Sequence, residues 1–361
     1  MLEANIYLNL INPYVPGKPI DEVKREMGLD DVVKLASNEN NRGIPARVIK
    51  KLESKIKELF LYPDGSLFAL RKALCEKLGV SGEQLVFGNG SDELLQLIAL
   101  AYLGEDKEAL ISEGTFSEYE FCARIINAPF RKVPLKNYTY DLEAFSRAIS
   151  IDTRVVFLCN PNNPTGTYFS KDALTDFMKN VPANVLVVMD EAYYEYAKGD
   201  DYPESLELLS QYNNMLILRT FSKVYALAGL RLGYGIASAE VVSTLNRVRQ
   251  PFNVNAFAQE AALAMLAEKT WEEEVREEVE VCKKYLYDEL DKLGVEYLRS
   301  RSNFVFIFTD LPAKQVFELL LAKGIIVRPM NGFGFPNAIR VSIGLKPENK
   351  KFIKAIKEIL S

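Results

Sequence analysis

Apolar residues along this chain of 361 residues gather in short runs, separated by stretches in which they recur every three to four positions. Seven runs, at 84–88, 108–112, 130–135, 154–160, 185–190, 215–219 and 232–237, are rich in Val, Ile, Leu and Phe without strict alternation. Strands covered on both faces have that pattern. The stretches between them are amphipathic. In 45–59, Val48, Leu52, Ile56 and Leu59 fall on one helical face, and Pro45 suits a first turn. Segments 91–103, 116–127, 141–149 and 171–180 predict helices in the same way. Strand–helix alternation predicts an α/β fold whose large domain has three layers, a mostly parallel seven-stranded sheet between helices. Ligands of such sheets gather beyond the carboxyl ends of the strands.

Near residue 245 the pattern changes. One helical stretch is expected over 256–293, followed by 303–308, a helix at 313–323, runs at 325–328 and 338–343, and a terminal helix from Glu348. This predicts a smaller α+β domain over 246–361, with the large domain at 31–245. Residues 1–30 carry Pro13, Pro16 and Pro19 without a clean period, and are expected to form an arm or part of the small domain.

Composition narrows the function. Hydrophobic residues at 48% and charged residues at 26% are ordinary for a soluble globular protein. A net charge of -5 argues against nucleic acid as a partner, since phosphate backbones favour a basic face. No apolar run is long enough to span a membrane. Met1-Leu2-Glu3-Ala4-Asn5 lacks the basic-then-apolar order of a secretory signal. The four cysteines form no CxxC pair and read as reduced, mostly buried thiols of a cytoplasmic protein. There is no histidine. That excludes Ser-His-Asp and Cys-His catalysis and any histidine-ligated metal, and no metal site is expected. Proton transfer falls to Lys, Tyr, Asp, Glu or a cofactor.

The candidate chemistry centres on Lys223, in Thr220-Phe221-Ser222-Lys223-Val224-Tyr225. A lysine among small, aromatic and apolar residues loses part of its hydration, which leaves a nucleophilic amine. Such an amine can hold an aldehyde as a Schiff base. Ser222 and Arg231 nearby suit a phosphate, and pyridoxal phosphate carries both groups. The plainer alternative is a lysine that merely ends a strand. Asp190 closes the run Val185-Leu186-Val187-Val188-Met189. A buried carboxylate needs a cation, so Asp190 either pairs with a protonated pyridine nitrogen or caps the next helix. Tyr193, and Asn163 in Asn160-Pro161-Asn162-Asn163-Pro164-Thr165-Gly166, are in reach of a ring hydroxyl. Gly88-Asn89-Gly90-Ser91-Asp92-Glu93 joins a strand to a helix, and its glycines and first-turn N–H groups suit an anion. A dinucleotide fingerprint is the rival there, but Glu93 stands where its third glycine belongs. Phe116 either stacks on a planar ring or fills core. Tyr62, in Leu61-Tyr62-Pro63-Asp64-Gly65, is either a turn tyrosine or a phenol for a phosphate.

With Ser37-Asn38-Glu39-Asn40 and the segment from Arg328 to Arg340, these motifs span nearly the whole chain in order. They resemble the aspartate-aminotransferase-like (fold type I) pyridoxal-phosphate enzymes, and within them the histidinol-phosphate aminotransferase branch. The resemblance implies a homodimeric transaminase of histidine biosynthesis, exchanging an amino group between L-histidinol phosphate and glutamate or 2-oxoglutarate in two half-reactions. It implies that Lys223 bonds the cofactor and moves the proton, that Asp190 pairs with the pyridine nitrogen, and that Asn163 and Tyr193 hold the ring oxygen. Gly90, Ser91, Thr220, Ser222 and Arg231 would bind the cofactor phosphate, with Asp92 beginning the helix that helps. Phe116 would stack on the ring, and Tyr62 would reach the phosphate in the neighbouring subunit. Arg340 would take a substrate carboxylate and, with Arg328, the substrate phosphate, while Tyr14 and Asn38 also contact substrate.

Two departures stand out. The family usually has Pro, a residue, Gly, Pro where this chain has Asn41-Arg42-Gly43-Ile44, and often Pro where it has Gly114. The first bears on the substrate side, and Arg42 is either a surface residue or a third anion contact. Rival readings are an aromatic or other amino-acid aminotransferase and a phosphothreonine decarboxylase of the same fold. A catalytically idle cofactor-binding regulator and a nucleotide-binding dehydrogenase are weaker.

Overall fold

A computed structural model describes residues 5–11, 13, 17–197, 199 and 201–360. All seven apolar runs become strands of one sheet. They are β1 (Leu85–Gly88), β2 (Glu108–Ser112), β3 (Phe130–Val133), β4 (Thr153–Cys159), β5 (Leu186–Asp190), β6 (Met215–Thr220) and β7 (Gly233–Ala237). The order across the sheet is β1-β7-β6-β5-β4-β2-β3. Only β7 opposes the others, lying antiparallel between β1 and β6. Every residue of β5, β6 and β7 is buried, which is why these runs show no polar alternation.

The expected helices are present, including α1 (Ser91–Tyr102) and α2 (Glu118–Ile125), and the 45–59 stretch ends as a 3-10 turn at Ile56–Glu58. Five helices were not foreseen: Ile20–Met27, Phe68–Leu78, Tyr194–Ala197, Ser205–Leu208 and Ala239–Val248. Phe68–Leu78 has no cap at its own N-terminus. Asp64, four residues upstream, accepts from the Phe68 N–H at 2.8 Å instead.

The structure corrects three expectations, two of them beyond residue 245. The 256–293 stretch is two helices, α3 (Ala256–Leu266) and α4 (Trp271–Leu293). The break lets Trp271 turn inward, where its indole N–H donates to the Val224 carbonyl at 2.8 Å. The 325–328 run also divides. Ile325–Ile326 pairs in parallel with Val33–Lys34, while Arg328–Pro329 enters a second sheet. Likewise β3 stops at Val133, and Leu135–Lys136 pairs with Thr139–Tyr140. The second sheet is antiparallel. Its strands β8 (Tyr297–Leu298), β9 (Phe304–Phe308), β10 (Arg328–Pro329) and β11 (Ala338–Ser342) run in the order β8-β9-β11-β10. Pairing of Val33–Lys34 with Ile325–Ile326 fastens the chain just ahead of Ser37-Asn38 to C-terminal elements.

The start of α1 is seated directly on β7. A Cβ at Gly233 would lie 2.6 Å from the Gly90 carbonyl carbon and 2.9 Å from the Ser91 Cα. Both are backbone atoms, so no side-chain rotation relieves the clash. Gly233→Ala is expected to cost about 1–3 kcal/mol, read as a lower denaturant midpoint at unchanged slope.

Candidate active site

Five loops leave the carboxyl ends of β1, β2, β4, β5 and β6, and they converge on one cavity. Its lining includes Ser91, Asp92, Phe116, Asn163, Asp190, Tyr193, Thr220, Ser222, Lys223 and Arg231. Gly90 adjoins it as the residue before α1. At φ +82° it adopts a backbone that suits glycine, and a Cβ there would come 2.5 Å from Arg231 Nη2.

Lys223 follows β6 and is half-buried. Its Nζ donates to the Ser37 carbonyl at 3.2 Å. Burial, with the positive charge of Arg340, lowers its ammonium to about 8. The backbone beside it is gripped twice, because the Val224 carbonyl accepts from Asn40 Nδ2 at 2.9 Å and from the Trp271 indole. Asp190 ends β5, and burial raises its carboxyl to about 6. Oδ2 accepts from the Tyr119 hydroxyl at 2.7 Å, and Oδ1 from the Ala192 N–H at 3.2 Å. Asp190 therefore does not cap the short helix that follows. It sits fully buried among hydrogen-bond donors.

The anion side is built from α1 and the Thr220–Arg231 loop. Ser222 N–H donates to Thr220 Oγ1 at 3.0 Å, and Arg231 Nη1 donates to Ser222 Oγ at 3.4 Å. Arg231 stands in the left-handed region at φ +57°, which folds its guanidinium back towards α1. There Nη2 meets Asp92 Oδ2 at 2.9 Å. An anion at this point would meet the Arg231 cation and the first N–H groups of α1.

The opposite wall comes from the N-terminal segment and the second sheet. Asn38, buried at φ +55°, donates from Nδ2 to the Tyr193 hydroxyl at 2.8 Å. Ser342 Oγ donates to Asn38 Oδ1 at 3.1 Å, and Asn303 Nδ2 donates to the Asn38 carbonyl at 3.0 Å. Arg340, on β11, donates from Nη1 to Asn163 Oδ1 and from Nη2 to the Ala36 carbonyl at 2.7 Å. Arg328 is its register partner on β10.

Not every expected residue meets the cavity. Tyr62 is 83% exposed and stacks on Phe252 at 4.9 Å, away from the cavity of its own chain. Tyr14 lies outside the described residues. Arg42 proves to be a surface residue, paired with Glu274 at 2.6 Å and stacked over the Trp271 ring. Gly114 takes φ +56°, a value closed to proline, and a Cβ there would lie 2.6 Å from the Phe335 ring, which explains that departure. Sequence reasoning missed Tyr119, although it follows Phe116 at helical spacing and that spacing was the available signal. It also missed Glu191 and Arg219, one residue from Asp190 and Thr220. Arg219 donates from Nε and Nη2 to Glu191 Oε2 at 3.0 and 2.9 Å, with both side chains buried and the guanidinium 3.6 Å from the Tyr194 ring centroid.

The donor set fits a planar molecule with an aldehyde, a basic ring nitrogen, a ring hydroxyl and a phosphate. Comparison with known proteins agrees. The family model for aminotransferase class I and II matches residues 30–356. A histidinol-phosphate aminotransferase of Moorella thermoacetica is 47% identical over 352 residues, covering 97% of this chain and 91% of that protein. The crystal structure of histidinol-phosphate aminotransferase from Sinorhizobium meliloti, in complex with pyridoxal-5'-phosphate, matches with a TM-score of 0.91 at 25% identity. That match covers 100% of this chain and 98% of the other. L-threonine-O-3-phosphate decarboxylase from Porphyromonas gingivalis, 22% identical with a TM-score of 0.81, shares the fold; the match covers 91% of this chain and 99% of that one. Fold and site thus define a pyridoxal-phosphate-dependent transaminase. The chain belongs to the aminotransferase class I and II family.

Breaking the Glu191–Arg219 pair would strand a carboxylate between the strand ends that carry Asp190 and Thr220. Arg219→Met is expected to lose about 3–5 kcal/mol of stability in urea denaturation, and Glu191→Leu added to it to recover most of that loss.

Proposed function

We propose that the protein transfers the amino group of L-histidinol phosphate to 2-oxoglutarate, using Lys223 as its nucleophilic and proton-moving amine. One observation carries the reading: a lowered lysine amine, a buried carboxylate and an anion-binding helix start share one cavity at the sheet's carboxyl edge. The cofactor supplies an aldehyde that condenses with amines and a ring that draws electrons from the substrate's α-carbon. The chain supplies the rest.

Lys223, lowered to about 8, is neutral in a useful fraction near pH 7 and can attack a carbonyl or take a proton. Asp190, as a carboxylate, would hold the ring nitrogen of the cofactor protonated. Tyr193 accepts from Asn38 and keeps its own proton to donate to a ring oxygen, which Asn163 approaches from β4. Gly90, Ser91, Thr220, Ser222 and Arg231 would hold the cofactor phosphate, beside Asp92 in the first turn of α1. Phe116, standing edge-on to Tyr119 at 5.7 Å, would cover one face of the cofactor ring. Arg340 receives a substrate carboxylate, and Arg328 beside it adds a cation for the substrate phosphate, in a bidentate chemistry that lysine would not match. Asn38 belongs to the same substrate side, and Tyr14 is proposed as a further substrate contact.

Tyr62 completes the site of a second copy in a homodimer, a role its exposure and its neighbours Phe60, Leu61 and Phe68, all exposed, support. We divide the chain as large domain 31–245 and small domain 246–361, with residues 1–30 as an arm. No described helix is long and apolar enough to cross a membrane, and we place the enzyme in the cytoplasm.

A donor screen against 2-oxoglutarate tests the substrate. Histidinol phosphate is expected to exceed phenylalanine and tyrosine, and phosphothreonine to give no amine product. Preference for a donor without phosphate would overturn the assignment while leaving the transaminase intact. Lys223→Ala is expected to lower turnover by about 10²–10⁴-fold or more. Borohydride treatment of the wild-type holoenzyme is expected to leave a stable adduct on the Lys223 peptide by mass spectrometry, and the variant to leave none. Because the amine is the reactive form, modification of Lys223 in the apoprotein should accelerate as pH rises through about 8.

A further inference from the structure

We infer that Tyr119 is a positioning residue for the reaction: its hydroxyl proton keeps the Asp190 carboxylate ionised and aimed at the cofactor ring. This rests on the reading of Asp190 given above.

The Tyr119 oxygen has two polar side-chain neighbours, the Asp190 carboxylate and the uncharged Cys159 thiol. The side chain is fully buried on α2. Its ring lies parallel to Phe157 on β4, with centroids 4.9 Å apart and planes 7° apart, and edge-on to Phe116. Two aromatic contacts in different directions fix the ring, so the hydroxyl is delivered to Asp190 Oδ2 at 2.7 Å without freedom to swing away. Burial and the neighbouring negative charge hold the phenol well above its ordinary value, so it stays protonated and donates.

Asp190 needs that proton because its other surroundings favour the neutral acid. Across β4 its register partner is Cys159, whose buried thiol is pushed upward and carries no charge. Tyr140 and Tyr193 face it as neutral phenols, again pushed upward by burial. Glu191 beside it and Asp92 on α1 are negative and oppose its ionisation. Among the described residues, no lysine or arginine contacts either oxygen. Two donors remain, the Ala192 N–H and the Tyr119 hydroxyl. Hydrogen bonds to a charged group are stronger than those between neutral partners. Without the hydroxyl, the acid would neutralise closer to pH 7, and a neutral acid cannot hold a cationic ring nitrogen. The defect is therefore pH-dependent. It is largest at low pH and fades as Asp190 ionises.

The test measures the pyridoxal phosphate dissociation constant of the full-length apoprotein, by fluorescence, from pH 6 to pH 9, for wild type, Tyr119→Phe, Asp190→Asn and the double variant. Tyr119→Phe is expected to bind about fivefold more weakly near pH 6, with the gap closing towards pH 8.5. The acid limb of kcat should move up by about one pH unit. In the double variant, Tyr119→Phe should add no further pH shift. Site-specific 3-fluorotyrosine at 119, a stronger donor of similar shape, should move the acid limb down, and it serves if the phenylalanine variant folds poorly. An unshifted profile, or equal weakening at every pH with a lower melting temperature, would overturn the inference. If Asp190→Asn binds and turns over like wild type, the reading of Asp190 itself fails. If Asp190→Asn is impaired while Tyr119→Phe matches wild type, only the role of Tyr119 fails.

Discussion

Desolvation of charge at the carboxyl edge of the sheet is the constraint on which the rest of this structure depends. Three strands end there with groups that water would normally serve: Cys159, Asp190 and Thr220. Each neighbouring element answers that demand. Tyr119 on α2 and the Ala192 N–H solvate Asp190. Arg219 neutralises Glu191 one residue on, and the Tyr194 face covers the guanidinium. The cavity is the place where the demand is left for a ligand to meet. That is why a nucleophilic amine, an acid and an anion cradle coincide in space although they lie far apart along the chain.

A second theme is that the cavity's far wall belongs to distant parts of the sequence. Ala36 and Asn38 sit between the two sheets, tied to Asn163 through Arg340, to Tyr193 directly, and to β11 through Ser342. The parallel pairing of Val33–Lys34 with Ile325–Ile326 fixes the register of that segment. The wall that carries Arg340 is thus hydrogen-bonded into the same network that orients Tyr193, so a change at β11 would be felt at the Tyr193 hydroxyl.

Much of this was legible in the residues. The seven strands announced themselves because double-sided burial admits few polar residues, and the cavity-lining loops followed as turns at strand ends. Lys223 and Asp190 were visible as ionisable groups closing apolar runs. What stayed hidden depended on contacts at long range or on indirect capping. Trp271 broke a helix that periodicity alone would continue, since only the fold reveals the Val224 carbonyl awaiting its indole. Phe68–Leu78 began without a cap of its own. Tyr119 looked like core, and stacked on Phe157 it is core, yet its single oxygen meets the buried Asp190 carboxylate. Glu191 and Arg219 read as ordinary charges, because nothing local says that two neighbouring strands will bring them together.

The lack of imidazole in the sequence acquires a meaning beside these buried groups. Histidine is the side chain that ordinarily gains and loses protons near neutrality. Here the side chains shifted into that window are Asp190 at about 6, Glu195 at about 7 and Lys223 at about 8, all raised or lowered chiefly by burial. Each lies within five residues of the end of β5 or β6. Burial at the carboxyl edge of the sheet thus shifts two acids and an amine of the interior toward the range that imidazole would otherwise serve.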